Sequence, residues 1–402
     1  MKDFTKEKKN IYLIDTTLRD GAQAARINFS YSEKLEIAKL LFDCNIDEVE
    51  AGIPAAGEKE IEFINNLIRI KPFKTKISVW CRNNLSDINH ALDTDAEIIH
   101  ISIFCSEILQ KAFNKNFTKQ IEDLKQNIKP VIDSGKMVSV GFQDVFRTPE
   151  RNIINALNAI SDTSIFRIRL ADSCGCALPD DCSKLIKSVK KVWGNKKIDF
   201  HAHNDCGLSA ANSISAFSSG ADSVSVTVNG IGERAGNTSL SDIASVALIT
   251  DLFNTGLNYR NIKALSDAVS RYSHFSVSPF APLIGSHIFE HKAGIHVSAL
   301  LNDPKSYQPY PNTENPCSSG ESSANNSGID TTQTNKFLFG QYSSMGCING
   351  FMKHYGHSLS QETAALLKQR IDEHAAKQKT DMDGSTLISI YNECVAGGPN
   401  ER

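Results

Sequence analysis

The stretch Phe200-His201-Ala202-His203-Asn204-Asp205-Cys206-Gly207 sets two imidazoles two residues apart, directly after the strand-like run Lys196-Lys197-Ile198-Asp199. Residues i and i+2 of a strand face the same way, so His201 and His203 project side by side across small Ala202. Two imidazoles at a strand end hold a divalent metal if a third ligand arrives from elsewhere; two polar side chains at a strand mouth is the plainer alternative. The segment Asp15-Thr16-Thr17-Leu18-Arg19-Asp20-Gly21-Ala22-Gln23 offers a carboxylate, a guanidinium and an amide within a few residues. A metal held by His201, His203 and Asp20 would keep positions open for substrate and polarise a carbonyl. Arg19 beside it could neutralise a developing alkoxide. The glycine-rich run Asn229-Gly230-Ile231-Gly232-Glu233-Arg234-Ala235-Gly236-Asn237 can let backbone approach a ligand closely.

These residues need a frame that brings distant segments together. From Ile11 to about residue 255, strand-like and helix-like segments alternate. The strands are expected at 11–15, 47–52, 76–80, 97–103, 137–140, 166–170, 197–203 and 222–226. Helical periodicity follows each of them, at 32–44, 58–70, from 86, 118–133, from 148, from 179, 209–219 and 240–253. Eight such units are the count and size of a (β/α)8 barrel, an α/β fold whose chemistry sits at the carboxyl ends of the strands. No Gly-x-Gly-x-x-Gly follows the first strand to favour an open doubly wound sheet. The strand ends carry polar groups almost throughout: Asp15 to Gln23, Glu50, Arg82, His100 within the fourth strand, Gln143, Ser173, the two histidines, and the loop ending at Asn237.

The domain outline is a barrel over 1–258, a linker subdomain over 259–311, a polar insert expected to be mobile over 312–335, and a helical C-terminal subdomain over 336–402. The 402 residues carry a net charge of −3, which gives no reason to expect nucleic acid as a partner. The charged N-terminal ten residues lack the apolar centre of a signal peptide, and no run of about 18 apolar residues suggests a membrane span. The ten cysteines include no Cys-x-x-Cys pair and read as reduced thiols, so a cytoplasmic protein is expected.

Asp15-Thr16-Thr17-Leu18-Arg19-Asp20-Gly21, His201-Ala202-His203-Asn204-Asp205 and Gly230-Ile231-Gly232-Glu233-Arg234-Ala235-Gly236-Asn237 resemble the signatures of the isopropylmalate and homocitrate synthase family. His291-Lys292-Ala293-Gly294-Ile295-His296 resembles that family's segment beyond the barrel. Within the family, Asp47 to Ala55 and Trp80-Cys81-Arg82 look most like homocitrate synthases of the nitrogen-fixation type. The resemblance implies a Claisen-type condensation of acetyl-CoA with a 2-oxo acid, followed by thioester hydrolysis. It implies a divalent metal (Mg, Mn or Zn) on Asp20, His201 and His203, with Asn237 on or near it. Arg19 and Gln23 would contact the oxo acid, and Ser173 falls where the family usually has Thr. His296 and Tyr307 match a pair that assists deprotonation of the acetyl methyl from a partner subunit, which implies a homodimer. Two positions depart from the family: Gln143 replaces a Glu, and Gly340-Gln341-Tyr342-Ser343-Ser344 lacks two basic side chains.

On this reading Glu50, Arg82, His100 and Ser173 join Arg19 and Gln23 as substrate contacts. The preferred oxo acid is expected to be 2-oxoglutarate, with oxaloacetate, pyruvate or 2-oxoisovalerate as alternatives. The residue-level reason is Arg82. At the end of strand three it should point into the barrel mouth and meet the second carboxylate of a dicarboxylic acid, which enters stripped of its hydration.

Overall fold

The computed structural model describes residues 8–250, 252–310 and 336–396. The polar stretch expected at 312–335 lies outside the described residues.

Eight parallel strands close into a barrel in sequence order, β1 (Tyr12–Asp15), β2 (Glu48–Glu50), β3 (Lys76–Arg82), β4 (Ile98–Phe104), β5 (Met137–Gln143), β6 (Ile165–Asp172), β7 (Lys197–Ala202) and β8 (Ser223–Val226). The first strand pairs with the last through Tyr12↔Ser223 to Asp15↔Val226. The period of two divides each strand between two surroundings. In β4, Ile99, Ile101 and Ile103 alternate with His100 and Ser102; in β6, Ile168 and Leu170 alternate with Arg167 and Arg169. The apolar set is buried, as expected where helices cover the outside of a barrel, and the polar set fills the inside.

Several of the helices between strands open on a side-chain cap. Tyr31–Asp43 opens on Ser30, whose hydroxyl accepts from the Glu33 N–H while Glu33 accepts from the Ser30 N–H. The helix expected over 118–133 is two helices, Phe117–Asn127 and Lys129–Asp133. Pro130, in the first turn of the second, has no N–H to continue the ladder of the first. A short helix, Glu107–Ala112, capped by Ser106, precedes them.

The chain divides into two compact units, one of residues 1–278 with 282–284, the other of 279–281 with 285–402. The helix Ile262–Ser273, assigned from sequence to a linker subdomain, belongs to the barrel unit. The Ser266 carbonyl accepts from Asn229 Nδ2 and its hydroxyl donates to Asn229 Oδ1, at 2.9 and 2.6 Å. The second unit has a three-stranded sheet of β9 (Glu290–His291), β10 (Lys336–Phe339) and β11 (Met382–Asp383), with β10 central. Helices Gly294–Asn302, Met345–His354, Gln361–Gln378 and Gly384–Ala396 accompany it. Its core contains Val297, Phe339, Ile348, Phe351, Leu367 and Ile371. No helix among the described residues is long and apolar enough to cross a membrane.

Candidate active site at the carboxyl ends of the barrel strands

Directly after β1 the chain turns back on itself. The Thr16 carbonyl accepts from the N–H groups of Arg19, Asp20 and Gly21 at 3.1, 2.8 and 3.1 Å, and Asp20 leads into the 3-10 turn Gly21–Gln23. A Cβ on Gly21 would come within 2.9 Å of the Ile231 side chain, so a larger residue would have to displace Ile231 for this turn to close. It delivers the Asp20 carboxylate to the imidazoles that β7 projects inward. His201 Nε2 lies 3.1 Å and His203 Nε2 3.9 Å from Asp20 Oδ2, and the two rings are 5.1 Å apart and nearly perpendicular. Among the described residues, Asp20, His201 and His203 are the His/Cys/Asp/Glu group whose ligand atoms come within 4.8 Å of one another, and all three are buried.

Asn237 joins them through the glycine loop. It bridges to His203, and its Nδ2 donates to Asp20 Oδ2 at 3.1 Å and to the Ile231 carbonyl at 3.2 Å. Gly236, at φ +87°, permits that loop; a Cβ there would meet the Gly230 carbonyl at 2.0 Å. Three polar atoms of the group, His201 Nδ1, His203 Nδ1 and Asn237 Oδ1, are buried without a hydrogen-bond partner. Buried polar atoms are normally satisfied, so the group is incomplete as it stands, and two imidazoles whose Nε2 atoms face one carboxylate are a donor set that suits a divalent ion.

The electrostatics agree. Burial alone would raise the Asp20 carboxyl, but the Arg19 guanidinium and a hydrogen bond from His201 hold it well below the usual carboxylate range. Burial, then the neighbouring His201, lowers His203 to about 4, which leaves a neutral imidazole able to ligate. Arg19 is fixed between two carboxylates, its Nη1 3.2 Å from Asp20 Oδ1 and its Nε on Glu50 Oε1. Glu50 is fully buried, and although burial opposes ionisation, Arg169, Arg19 and His100 hold its carboxyl well below normal. Arg169, 2% exposed at its side chain, donates from Nη1 to Glu50 Oε2 at 2.7 Å and from Nε to Asp199 Oδ2 at 2.5 Å.

A cavity of about 210 Å³ opens above these residues, lined by Arg19, Asp20, Gln23, His100, Ser173, His201 and His203 among others. His100 is kept neutral by burial and by Arg169, and its Nδ1 is 2.8 Å from the Ser139 hydroxyl. The Ser173 hydroxyl accepts from the Asp144 N–H at 2.9 Å, which leaves its own hydrogen free to donate. Gln143 also lines the cavity, where its Nε2 donates to Ser102 Oγ at 2.7 Å.

Arg82 requires a correction. It does not line the cavity: its side chain is 66% exposed, and Nε and Nη2 grip Asp87 at 2.8 Å each. Asp87, in the first turn of the helix Leu85–Leu92, is the nearer anion and draws the last residue of β3 outward. His296 and Tyr307 belong to the second unit, where their rings stack at 3.9 Å and 12°.

Sequence reasoning missed Arg169, Asp199 and Ser102. The available signal was charge repeating every second residue, as in Glu48 and Glu50 or Arg167 and Arg169, inside strands otherwise apolar. It also missed the link between loops made by Arg234, which binds Asp205 at 2.8 and 2.9 Å and the Ser173 carbonyl at 2.8 Å.

Residues 10–269 match the sequence profile of the HMGL-like family. A 2-isopropylmalate synthase of Caldanaerobacter subterraneus is 28% identical over 394 residues, which is 98% of either chain. A homocitrate synthase of Methanocaldococcus jannaschii is 33% identical over 304 residues, 75% of either chain. Among solved structures, the HMG-CoA lyase of Bacillus subtilis superposes with a TM-score of 0.62 at 17% identity, covering 67% of this chain and 95% of that one. At that identity the likeness speaks for the barrel alone.

Proposed function

The chain belongs to the HMGL-like family, and from that premise we propose that it joins the acetyl group of acetyl-CoA to a 2-oxo acid and then hydrolyses the thioester. The observation that carries this reading is the convergence of Asp20, His201 and His203 beside Arg19 at the foot of an open cavity. A divalent ion bound there would polarise the 2-oxo group and hold the substrate. Arg19 offers N–H groups to the oxygen that changes from carbonyl to alkoxide. Ser173 donates its hydroxyl hydrogen to the oxo acid's own carboxylate, and Gln23 flanks it. A base must remove a proton from the acetyl methyl, a weak carbon acid, so that the new carbon–carbon bond can form. His296 and Tyr307, stacked on each other, are the candidates, acting from a partner subunit of a homodimer. Water then releases the CoA thiol.

The relatives include both isopropylmalate and homocitrate synthases. The polar lining of His100, Ser102 and Gln143 suits an oxo acid with a polar side chain better than a branched apolar one, so the homocitrate type is preferred. The test is thiol release from acetyl-CoA with divalent metal present, screened over 2-oxoglutarate, oxaloacetate, pyruvate and 2-oxoisovalerate. No release with any of them overturns the reading. The shared site is tested by mixing inactive His296→Ala and Asp20→Ala chains: partial recovery of activity is expected, and none in verified mixed dimers rules sharing out.

A further inference from the structure

We propose that Arg169, with His100, is the receptor for the second carboxylate of a dicarboxylic 2-oxo acid, and so sets the substrate class of this site. The inference rests on the condensing reaction above and supplies the cation that Arg82 does not. Two of the three guanidinium nitrogens of Arg169 are committed, Nε to Asp199 and Nη1 to Glu50. The third, Nη2, is buried with no partner, while the residue lines the cavity. A guanidinium N–H held in that state is costly without a ligand, and a carboxylate is the acceptor its geometry fits.

The position is right for the far end of a substrate. Arg169 pairs in register with Gly141 on one side and Asp199 on the other, while Ala171, two residues on, pairs with His201. Arg169 therefore lies one inward tier beneath the imidazoles, about 6–7 Å along the strand. A 2-oxo acid whose reacting end is held at Asp20, His201 and His203 spans that gap with a short carbon chain. Its small neighbours Gly141 and Ala171 line the cavity with it, and His100 packs against Gly141. A Cβ on Gly141 would lie 2.5 Å from His100 Nε2.

His100 completes the receptor. His100 Nδ1 shares a hydrogen bond with the Ser139 hydroxyl at 2.8 Å, and Nε2 lies on the Gly141 side; the tautomer protonated at Nε2 is the one that would donate to a carboxylate. Arg19 and Arg169 face three carboxylates, Asp20, Glu50 and Asp199. A bound divalent ion turns that cluster cationic and able to take a doubly charged acid.

The experiment compares kcat/KM for 2-oxoglutarate with that for 2-oxobutyrate, in the metal-loaded wild type and in Arg169→Lys. The lysine retains a cation for Glu50 and Asp199 but not the planar fork that carries Nη2. The wild type is expected to prefer the dicarboxylate, and the variant's ratio to fall more than 30-fold below it. A ratio unchanged within threefold, or a wild type that prefers the monocarboxylate, overturns the assignment of Arg169 while leaving the condensing reaction standing. A wild type that turns over neither acid counts against the reaction itself. Calorimetry on the metal-loaded wild type decides the matter if Arg169→Lys does not fold or neither acid is turned over. Glutarate should bind at least 30-fold more tightly than pentanoate, which has the same length and one carboxylate fewer. Equal affinities overturn the proposal.

Discussion

Two buried polar clusters share the inside of this barrel, and they are built to opposite standards. In the lower one, Arg167 holds Glu48 in a two-point grip, both contacts at 2.8 Å, with the Tyr12 hydroxyl 3.3 Å from the same carboxylate. None of these charged atoms is without a partner. In the upper one, Asp20 meets His201, His203 and Asn237, and three of their buried polar atoms have no partner. A buried ion pair that satisfies itself has no affinity left to offer a ligand; a cluster with orphaned atoms is complete only when something enters it. Arg169 lies between the two, lines the cavity, and has one guanidinium nitrogen, Nη2, without a partner. The contrast separates what holds the barrel from what acts in it, although both clusters consist of the same residue types.

The largest effect should come from the upper cluster. His203→Ala removes one donor of the metal set and is expected to lower turnover on the order of 10³-fold or more. That exceeds the 10–100-fold typical of losing an outer partner of a metal ligand. Bound metal per chain, measured on the purified protein, should fall with it, while the urea midpoint changes little. Full turnover in chelator would erase the distinction between the clusters. Arg167→Met should do the reverse. It strands Glu48 in the core and should cost about 3–5 kcal/mol of stability. Adding Glu48→Leu should restore most of that in urea titrations, since an apolar pair of similar volume packs without the desolvation cost. Metal content of the folded fraction should not change. A large loss of metal in the single variant would mean that the lower cluster shapes the upper one.

The barrel and the metal-suited residues were legible in the sequence because both rest on period two. Alternation placed His201 beside His203, and the eight strand–helix units placed Asp20 at the same rim. Asn237 was reached through resemblance alone; the structure seats it at the end of the glycine loop, its Nδ2 3.1 Å from Asp20 Oδ2. What could not be read was competition between neighbours. Arg82 has the right parity for the interior, but its direction was decided by Asp87, a carboxylate in the next helix turn with two oxygens at 2.8 Å. Arg169 was overlooked because a charged residue in the middle of a strand looks like an interruption until the strand is closed into a ring. The helix break at Pro130 is a local signal that was present and given too little weight against the longer periodicity.

Asp15 tests whether an orphaned atom always marks a ligand site. Its Oδ1 accepts from the Thr17 N–H at 2.9 Å, while its Oδ2 is buried and unpartnered, and it does not line the cavity. Burial pushes its carboxyl up to about 7, against the opposing hydrogen bonds from Thr17. Near pH 3 both folded and unfolded chains carry the proton. As pH rises toward 7 the unfolded chain releases it first, so this group's contribution to stability is lost over that window. Asp15→Asn has nothing to ionise and keeps the Thr17 contact. Its melting temperature should exceed that of the wild type by roughly a few degrees at pH 8 and converge with it at low pH, with bound metal unaltered. A pH-independent difference would mean that Asp15 titrates alike in the folded and unfolded chains.

The smallest effect is expected at Arg82, and it tests the outer limit of the site. The guanidinium is mostly in water, where an ion pair contributes about 0–1 kcal/mol, so Arg82→Leu should shift the urea midpoint only slightly. Asp87 is not stranded by the change. It keeps the N–H of residue 82 at 3.2 Å and the Asn84 amide at 3.1 Å, whereas Glu48 without Arg167 would lose both of its strongest contacts. With the side chain turned away from the cavity, kcat/KM should stay within roughly twofold of wild type for mono- and dicarboxylic oxo acids alike. A tenfold loss confined to the dicarboxylate would show that Arg82 leaves Asp87 when substrate binds. The second carboxylate would then be read at the rim, by an exposed side chain, and not on the floor by Arg169.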